Sequence, residues 1–107
     1  MKQYKEQWSE FEVQSLAYGI LRKHLYPEFL VRGEYKFPFC RTDIAVFKAH
    51  PDREPELKLI IEVKKSSQGT AITQGQRYEE LLGVPCIYIR GVSDAYKVVS
   101  LAQPYLT

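Results

Sequence analysis

A short apolar stretch near the middle of the chain carries two charges where a buried strand normally carries none. The stretch from Leu59 to Val63 reads Leu-Ile-Ile-Glu-Val, and Lys64 follows it. Because strand side chains alternate between two faces, Glu62 and Lys64 must emerge on the same face. So apolar a run belongs in a core, where unpaired charges are rarely tolerated. The two charges therefore need a partner, and a metal ion held together with another acid would supply one.

A second acid lies upstream in a strand-like segment. Asp43 falls within residues 41–46, Arg-Thr-Asp-Ile-Ala-Val, and a polar segment with two prolines separates it from the charged strand. A hairpin at that segment would bring Asp43 beside Glu62 and Lys64. Purely structural roles remain open, since Asp43 could cap a turn or pair with Arg41. A solvated salt bridge between Glu62 and Lys64 would contribute only about 0–1 kcal/mol, so it explains little.

Length and composition set the broad class. The chain has 107 residues, 45% hydrophobic and 26% charged, so we expect one soluble domain over residues 1–107. It has no apolar run of membrane-spanning length and no signal-peptide-like start, and it has only two cysteines. We therefore expect no membrane association and a reducing cytoplasmic location. The formal charge of +2 permits contact with nucleic acid but does not predict it.

Periodicity and stop signals predict the order of the elements. Ser9 and Glu12 have the spacing of a capping box, so a helix should run to about Leu25 and stop before Pro27. A second helix should end at Gly83. The predicted strands are Phe29–Phe37, Cys40–Lys48, Leu57–Lys64, Cys86–Arg90 and a fifth at Tyr96–Ser100, and the second helix is Ala71–Leu82. This pattern predicts an α/β fold with a central mixed sheet flanked by helices, in the order α-β-β-β-α-β.

Two neighbouring carboxylates point to metal chemistry. Such groups repel each other, which raises the pKa of one of them unless a cation lies between them. Mg²⁺ or Mn²⁺ prefers oxygen ligands and binds one or two carboxylates together with a substrate phosphate. The ion can activate a water molecule, and a nearby lysine can stabilise charge on the phosphate under attack. The residues therefore favour metal-dependent phosphodiester hydrolysis.

Asp43, the hairpin and the run Glu62-Val63-Lys64 together resemble the active-site signature of the PD-(D/E)XK nucleases. Gln74 and Tyr78 resemble the Q-x-x-x-Y element that follows the lysine strand in the N-terminal nuclease domains of type I restriction enzyme R subunits. Residues 41–44, Arg-Thr-Asp-Ile, resemble the R-x-D-I run of the same group. The resemblance covers nearly the whole chain and implies a restriction-endonuclease-like core.

The resemblance also implies roles for the residues that carry it. Asp43 and Glu62 would bind the metal, with the backbone carbonyl of Val63 as a further ligand. Lys64 would be the catalytic lysine. Thr42 stands where the name-giving proline of the family would be, which is a departure from the pattern.

Three further site residues follow from the family pattern. Gln74 and Tyr78 lie four apart on one helical face, where both could lean over the site, although a polar helix face would look the same. The family also places an acid on its first helix, and Glu10 and Glu12 are both candidates. We assign Glu10 to the site because it continues the buried stripe of that helix, and Glu12 to the cap. Both could also simply serve the helix N-terminus.

The family implies DNA as the substrate. So short a chain has little beyond a catalytic core, so we expect a homodimer or a partner subunit to supply target recognition. Two alternatives stay open. The fold could serve as a non-cleaving nucleic-acid-binding or protein-interaction module, or the three charged residues could form a purely structural network.

Overall fold

The computed structural model describes residues 8–64 and 77–107. Helix α1 is followed by three strands, and residues 77–82, helix α2, precede the last strand. Two short helices and a 3₁₀ turn, Gln103–Tyr105, come after it. The bounds are α1 Glu10–Leu25, β1 Phe29–Lys36, β2 Arg41–Lys48, β3 Glu56–Val63, β4 Cys86–Ile89, α3 Val92–Tyr96 and α4 Val98–Ala102.

The four strands form one mixed sheet in the order β1-β2-β3-β4. The first three strands are antiparallel neighbours, with Ile44 opposite Ile61, and β4 joins β3 in parallel, with Ile87 opposite Ile61. Antiparallel strands can be joined by a hairpin, whereas a parallel pair needs a crossover connection. The predicted α/β class, the mixed sheet and the flanking helices are therefore confirmed.

Helix α1 forms for the reasons that its sequence predicts. The Ser9 hydroxyl accepts from the Glu12 backbone N–H (3.1 Å), and Glu12 Oε1 accepts from the Ser9 backbone N–H (2.8 Å). The helix ends at Leu25, and Tyr26, directly before Pro27, has extended backbone angles. Its buried residues follow helical spacing: Val13, Ala17, Leu21 and Leu25.

The main core lies between this stripe and one face of the sheet. Ile44 and Val46 of β2 and Ile61 of β3 are fully buried there, together with Ala95 and Val98 of the C-terminal helices. Strand alternation turns Ala45 and Ile60 to the opposite face, yet both are also 0% exposed. The centre of the sheet is therefore buried on both faces.

The prediction of a fifth strand at residues 96–100 was wrong. This part of the chain lies in two short helices, α3 and α4, which pack against α1. The buried residues Ala95, Val98 and Ala102 lie at positions i, i+3 and i+7, which is helical spacing. The prediction followed the β-branched residues Val98 and Val99 and overlooked that period.

The second predicted helix is confirmed where it is described. Residues 77–82 are helical, and the predicted residues 71–76 lie outside the described part of the chain. Gly83 ends the helix in the left-handed region, with φ +70°, and its N–H donates to the Glu79 carbonyl (2.8 Å). Within residues 8–64 and 77–107, no helix is long and apolar enough to cross a membrane.

The capping box gives a direct stability test. Replacing Ser9 by Ala leaves the backbone N–H of Glu12 without its acceptor, so we expect S9A to lower the free energy of unfolding by about 1 kcal/mol. Urea denaturation followed by circular dichroism measures this. The control is S15A, an exposed serine inside the same helix, where alanine has the higher helix propensity. If S9A and S15A changed the free energy of unfolding equally, the Ser9 hydroxyl would not stabilise the helix as a cap.

Candidate functional site

The candidate site lies where the pairing of β2 and β3 ends. Ile44 and Ile61 are the last paired residues at that end of the ladder, and Asp43 and Glu62 are the next residues of the two strands. On its other side β3 stays paired for longer, because the Lys64 backbone N–H donates to the Ile89 carbonyl of β4 (2.8 Å). The predicted hairpin thus brings Asp43 and Glu62 side by side.

The two carboxylates take over the hydrogen bonding at this point. The Asp43 backbone N–H donates to Oε2 of Glu62 (3.1 Å), and the Val63 backbone N–H donates to Oδ2 of Asp43 (2.7 Å). Each strand therefore supplies one amide and one carboxylate to the other. These bonds engage one oxygen of each acid, Oε2 of Glu62 and Oδ2 of Asp43.

Burial makes the negative charge of this pair costly. Glu62 is only 3% exposed. Burial, and next the negative charge of Asp43, raise the pKa of Glu62 to about 7. Burial also raises the pKa of Asp43, against the opposing effects of its bond from Val63 and of the positive charge of Lys64. One proton shared near neutral pH, or one cation, would relieve this repulsion.

Lys64 is the nearby positive charge. It follows the last residue of β3 and is half-buried, and its charge lowers the pKa of both Asp43 and Glu62. Among the described residues, the ion pairs within 4.0 Å involve other groups, and none joins Lys64 to either acid. The described contacts therefore do not close the three residues into a structural ion-pair network.

Of the two acids at the start of α1, Glu12 serves the helix cap, as predicted. Its carboxylate accepts the Ser9 amide, and that bond lowers the pKa of Glu12. The negative charge of Glu10 contributes instead to raising the pKa of Asp43. Glu10 is thus electrostatically linked to the candidate site, and its role there stays a prediction.

Gln14 is a neighbour of the site that the sequence analysis missed. Its Nε2 donates to the Asp43 backbone carbonyl (3.3 Å), which ties α1 to β2 at the candidate site. The available signal was spacing, because Gln14 lies four residues after Glu10 and so on the same face of the helix. A polar residue on a half-exposed helix face has too many ordinary explanations to be selected by sequence alone.

Both cysteines lie near Glu62, and one of them, Cys86, is on β4. Tyr88 is the register partner of Glu62, and Cys86 lies two residues before it. Burial, and next the charge of Glu62, raise the pKa of Cys86 to about 12. Burial and Glu62 likewise raise the pKa of Cys40. Both thiols therefore stay neutral and act here as small apolar groups.

Of the remaining residues that the family pattern singles out, Tyr78 and Thr42 lie in the described part of the chain and Gln74 does not. Tyr78, on α2, is 9% exposed although its helix neighbours Arg77 and Glu79 are exposed, so its ring is packed inward. Gln74 lies outside the described residues. Thr42, at the position of the family's proline, is 1% exposed, and its hydroxyl finds no hydrogen-bond partner among the described residues.

The donor set suits a hard divalent cation. Two adjacent carboxylates offer oxygen ligands of the kind that Mg²⁺ and Mn²⁺ prefer, and a cation would offset the cost of burying charge that raises both pKa values. Over residues 8–64 and 77–107, no group of three or more His, Cys, Asp or Glu side chains is arranged to hold a metal ion. Asp43 and Glu62 are thus a pair of candidate ligands, with Val63 as the predicted third.

Comparison of the chain with protein-family models, with curated proteins and with solved structures gives no match.

The raised pKa of Glu62 predicts a stability that falls as pH rises. Between about pH 4.5 and pH 7 the unfolded chain loses the Glu62 proton while the folded chain keeps it. We therefore expect the free energy of unfolding to fall across that window by up to about 3 kcal/mol. Glu62→Gln keeps an acceptor for the Asp43 N–H without the charge, so it should remove most of this fall.

Urea denaturation in EDTA at about pH 5 and about pH 8 measures the difference. Glu80→Gln, which changes an exposed acid on α2, serves as the control and should leave the pH dependence intact. The opposite result, a Glu62→Gln protein that is strongly destabilised at both pH values, would indicate that the charge itself holds the fold together.

Proposed function

We propose that this chain is a metal-dependent nuclease that hydrolyses DNA phosphodiester bonds on a restriction-endonuclease-like core. One observation carries the proposal. Asp43 and Glu62 lie side by side at the end of the β2–β3 ladder, and Lys64 directly follows the strand that bears Glu62. This is the set of groups that the PD-(D/E)XK signature would require, and its two acids are in contact although they lie 19 positions apart in the chain.

The charge state of the pair supports a metal rather than a purely structural role. The two backbone amides could equally be satisfied by the neutral side chains Asn and Gln, which accept the same hydrogen bonds. Two buried carboxylates instead add a cost of burying charge that raises both pKa values, and the charge of Asp43 raises that of Glu62 further. That buried charge is useful to the protein if a cation binds there.

Different residues would bind the metal ion and stabilise the phosphate. Asp43 and Glu62 would hold Mg²⁺ or Mn²⁺, with the Val63 carbonyl as a further ligand. When bound, such an ion lowers the pKa of a coordinated water and neutralises charge on a phosphate. The Lys64 ammonium would orient the attacking water and stabilise the charge that develops on the phosphate oxygens.

The other predicted residues would support this arrangement. Tyr78 on α2 would shape the site together with Gln74, and Glu10 would add a further acid from α1. Gln14 would act as a positioning residue, since it fixes the backbone of Asp43 rather than reaching a substrate. We propose a cytoplasmic protein whose target recognition comes from a homodimer or a partner subunit.

A non-cleaving binding module on the same fold is the main alternative. Such a module would bind DNA equally well with and without a divalent cation, and its carboxylates would serve only to join β2 to β3. The two functions therefore differ in metal dependence, and two measurements address it.

Metal binding should stabilise the folded protein. A ligand that binds only the folded state at a hundredfold excess over its Kd adds about 2.7 kcal/mol, so Mg²⁺ or Mn²⁺ should raise the melting temperature. Asp43→Asn keeps an acceptor for the Val63 N–H but removes the charge, and it should abolish most of that rise. Thermal unfolding monitored by circular dichroism measures both. Asp52→Asn, in the exposed turn after β2, is the control and should respond to metal like the wild type.

Cleavage should depend on both the metal and Lys64. We expect supercoiled plasmid, single-stranded DNA or a four-way junction to be cut with Mg²⁺ or Mn²⁺ and not in EDTA. Lys64→Ala should reduce the rate by about 10²–10³-fold, the loss seen when one transition-state donor is removed. Lys58→Ala removes the same kind of charge from within β3 and should retain most of the activity. Equal activity of the Lys64 and Lys58 variants would contradict the role given to Lys64.

A further inference from the structure

An aromatic groove lies on the outer side of the β1–β2 hairpin. It has a volume of about 420 Å³ and is lined by Leu30, Arg32, Tyr35, Phe47, Glu54 and Pro55. Leu30 and Phe47 are register partners, as are Arg32 and Ala45. Since Asp43, Ala45 and Phe47 alternate onto one face of β2, the groove and the carboxylate pair share that face. The groove therefore lies on the same face of the sheet as the carboxylate pair, and the buried Ala45 separates Asp43 from Phe47 along β2.

Two rings, Tyr35 and Phe47, line the aromatic groove, and a third ring, Phe37, packs against Tyr35. Tyr35 contacts Phe47 with ring centroids 5.2 Å apart and Phe37 with centroids 4.8 Å apart, and both pairs are edge to face. All three rings are half-buried rather than enclosed in the core. In an edge-to-face pair only one ring has a face covered by its neighbour, so ring faces remain for a further flat partner.

One positive charge lies among these rings. Arg32 is exposed, and the ion pairs among the described residues involve other cations. Its register partner Ala45 is two residues from Asp43, which is a rise of about 7 Å along the strand. A phosphate next to the one under attack at Asp43 would therefore come within reach of a side chain as long as arginine.

Glu54 gives the two ends of the aromatic groove different charges. Glu56 pairs with Lys48 at the far end of β2, so Glu54 and Pro55 lie at the end of the groove that is remote from Asp43. A carboxylate there repels a phosphate, whereas it can accept from the amino group of a base. The positive charge thus lies between the carboxylate pair and the far end, in the order that a nucleotide chain leaving the site would need.

We propose that the aromatic groove binds a single-stranded DNA segment adjacent to the bond that is cleaved. Arg32 contacts a phosphate, and unstacked bases lie on the rings of Tyr35 and Phe47. This rests on the proposed nuclease function and names its substrate class. Single strands fit and duplex does not, because a base can stack on a protein ring only after it has left its own stack, while a duplex presents only base edges and backbone.

Equilibrium binding in EDTA tests the groove without any cleavage. The probe is a fluorescein-labelled oligothymidylate of about a dozen nucleotides, within the usual range of site sizes, followed by fluorescence anisotropy. Tyr35→Leu should weaken binding by between about fivefold and a hundredfold through lost stacking. Arg32→Ala should weaken it as well and reduce the slope of log K against log salt by about 0.7. Because Arg32 is exposed, this second variant keeps the test valid if Tyr35→Leu fails to fold.

Two controls match these variants in chemistry. Lys23→Ala removes an exposed positive charge from α1, and Tyr96→Leu removes an exposed aromatic ring from α3. Both should bind the oligonucleotide like the wild type. The proposal is overturned if the groove variants bind like the controls, or if a duplex binds the wild type as tightly as the single strand.

Failure of this inference is separable from failure of the nuclease function. Metal-dependent cleavage that needs Lys64 but is unchanged in Arg32→Ala and Tyr35→Leu would leave the nuclease in place and overturn the groove. Binding that needs both groove residues, without cleavage under any metal, would support the groove and overturn the nuclease.

Discussion

The fold depends on the placement of two carboxylates where the backbone pairing of β2 and β3 stops. β3 is buried on both faces from Leu59 to Val63, so its register is tightly specified. A slip by one residue would turn Glu62 into the apolar core against α1 and bring Ile61 out of it. The reciprocal bonds between Asp43 and Glu62 close the ladder in the one register that keeps both acids out of that core. The same contact thus fixes the sheet and forms the candidate site.

Hydrogen bonding alone does not account for the choice of acids at this contact. The amides of Asp43 and Val63 each need one acceptor, and a neutral amide side chain would supply it without burying charge. Instead the pair places negative charge in a buried position that Lys64 compensates only in part, since burial keeps the pKa values of both acids raised and the charge of Asp43 raises that of Glu62 further. Perturbed titration of neighbouring groups at a strand end is typical of functional sites. The excess negative charge is the feature that a divalent cation would balance, and it links the physics of the fold to the proposed chemistry.

Most of the framework could be predicted from local sequence signals, whereas contacts made across the fold could not. The cap at Ser9, the stop before Pro27 and the apolar strands depend on neighbouring residues, so α1 and all four strands match their predictions closely. The meeting of Asp43 and Glu62 followed from one hairpin and strand alternation. The bond from Gln14 to Asp43 depends on how α1 docks on the sheet, which no local pattern encodes. The C-terminal helices were missed because β-branched residues outweighed a short helical period.

An irregularity in β1 connects the candidate site with the aromatic groove. Strict alternation would put Tyr35 on the face of its register partner Thr42, yet its ring contacts Phe47, which alternates onto the opposite face. Glu34, the residue before it, has φ +47°, a left-handed conformation that is uncommon outside glycine and reverses the alternation locally. The Glu34 carboxylate also accepts from Arg41 (2.9 Å) and contributes to raising the pKa of Asp43. One strained residue thus turns an aromatic ring toward the groove and adds negative charge beside the carboxylate pair. Strain of this kind persists only where the surrounding structure enforces it, and here it lies opposite Asp43.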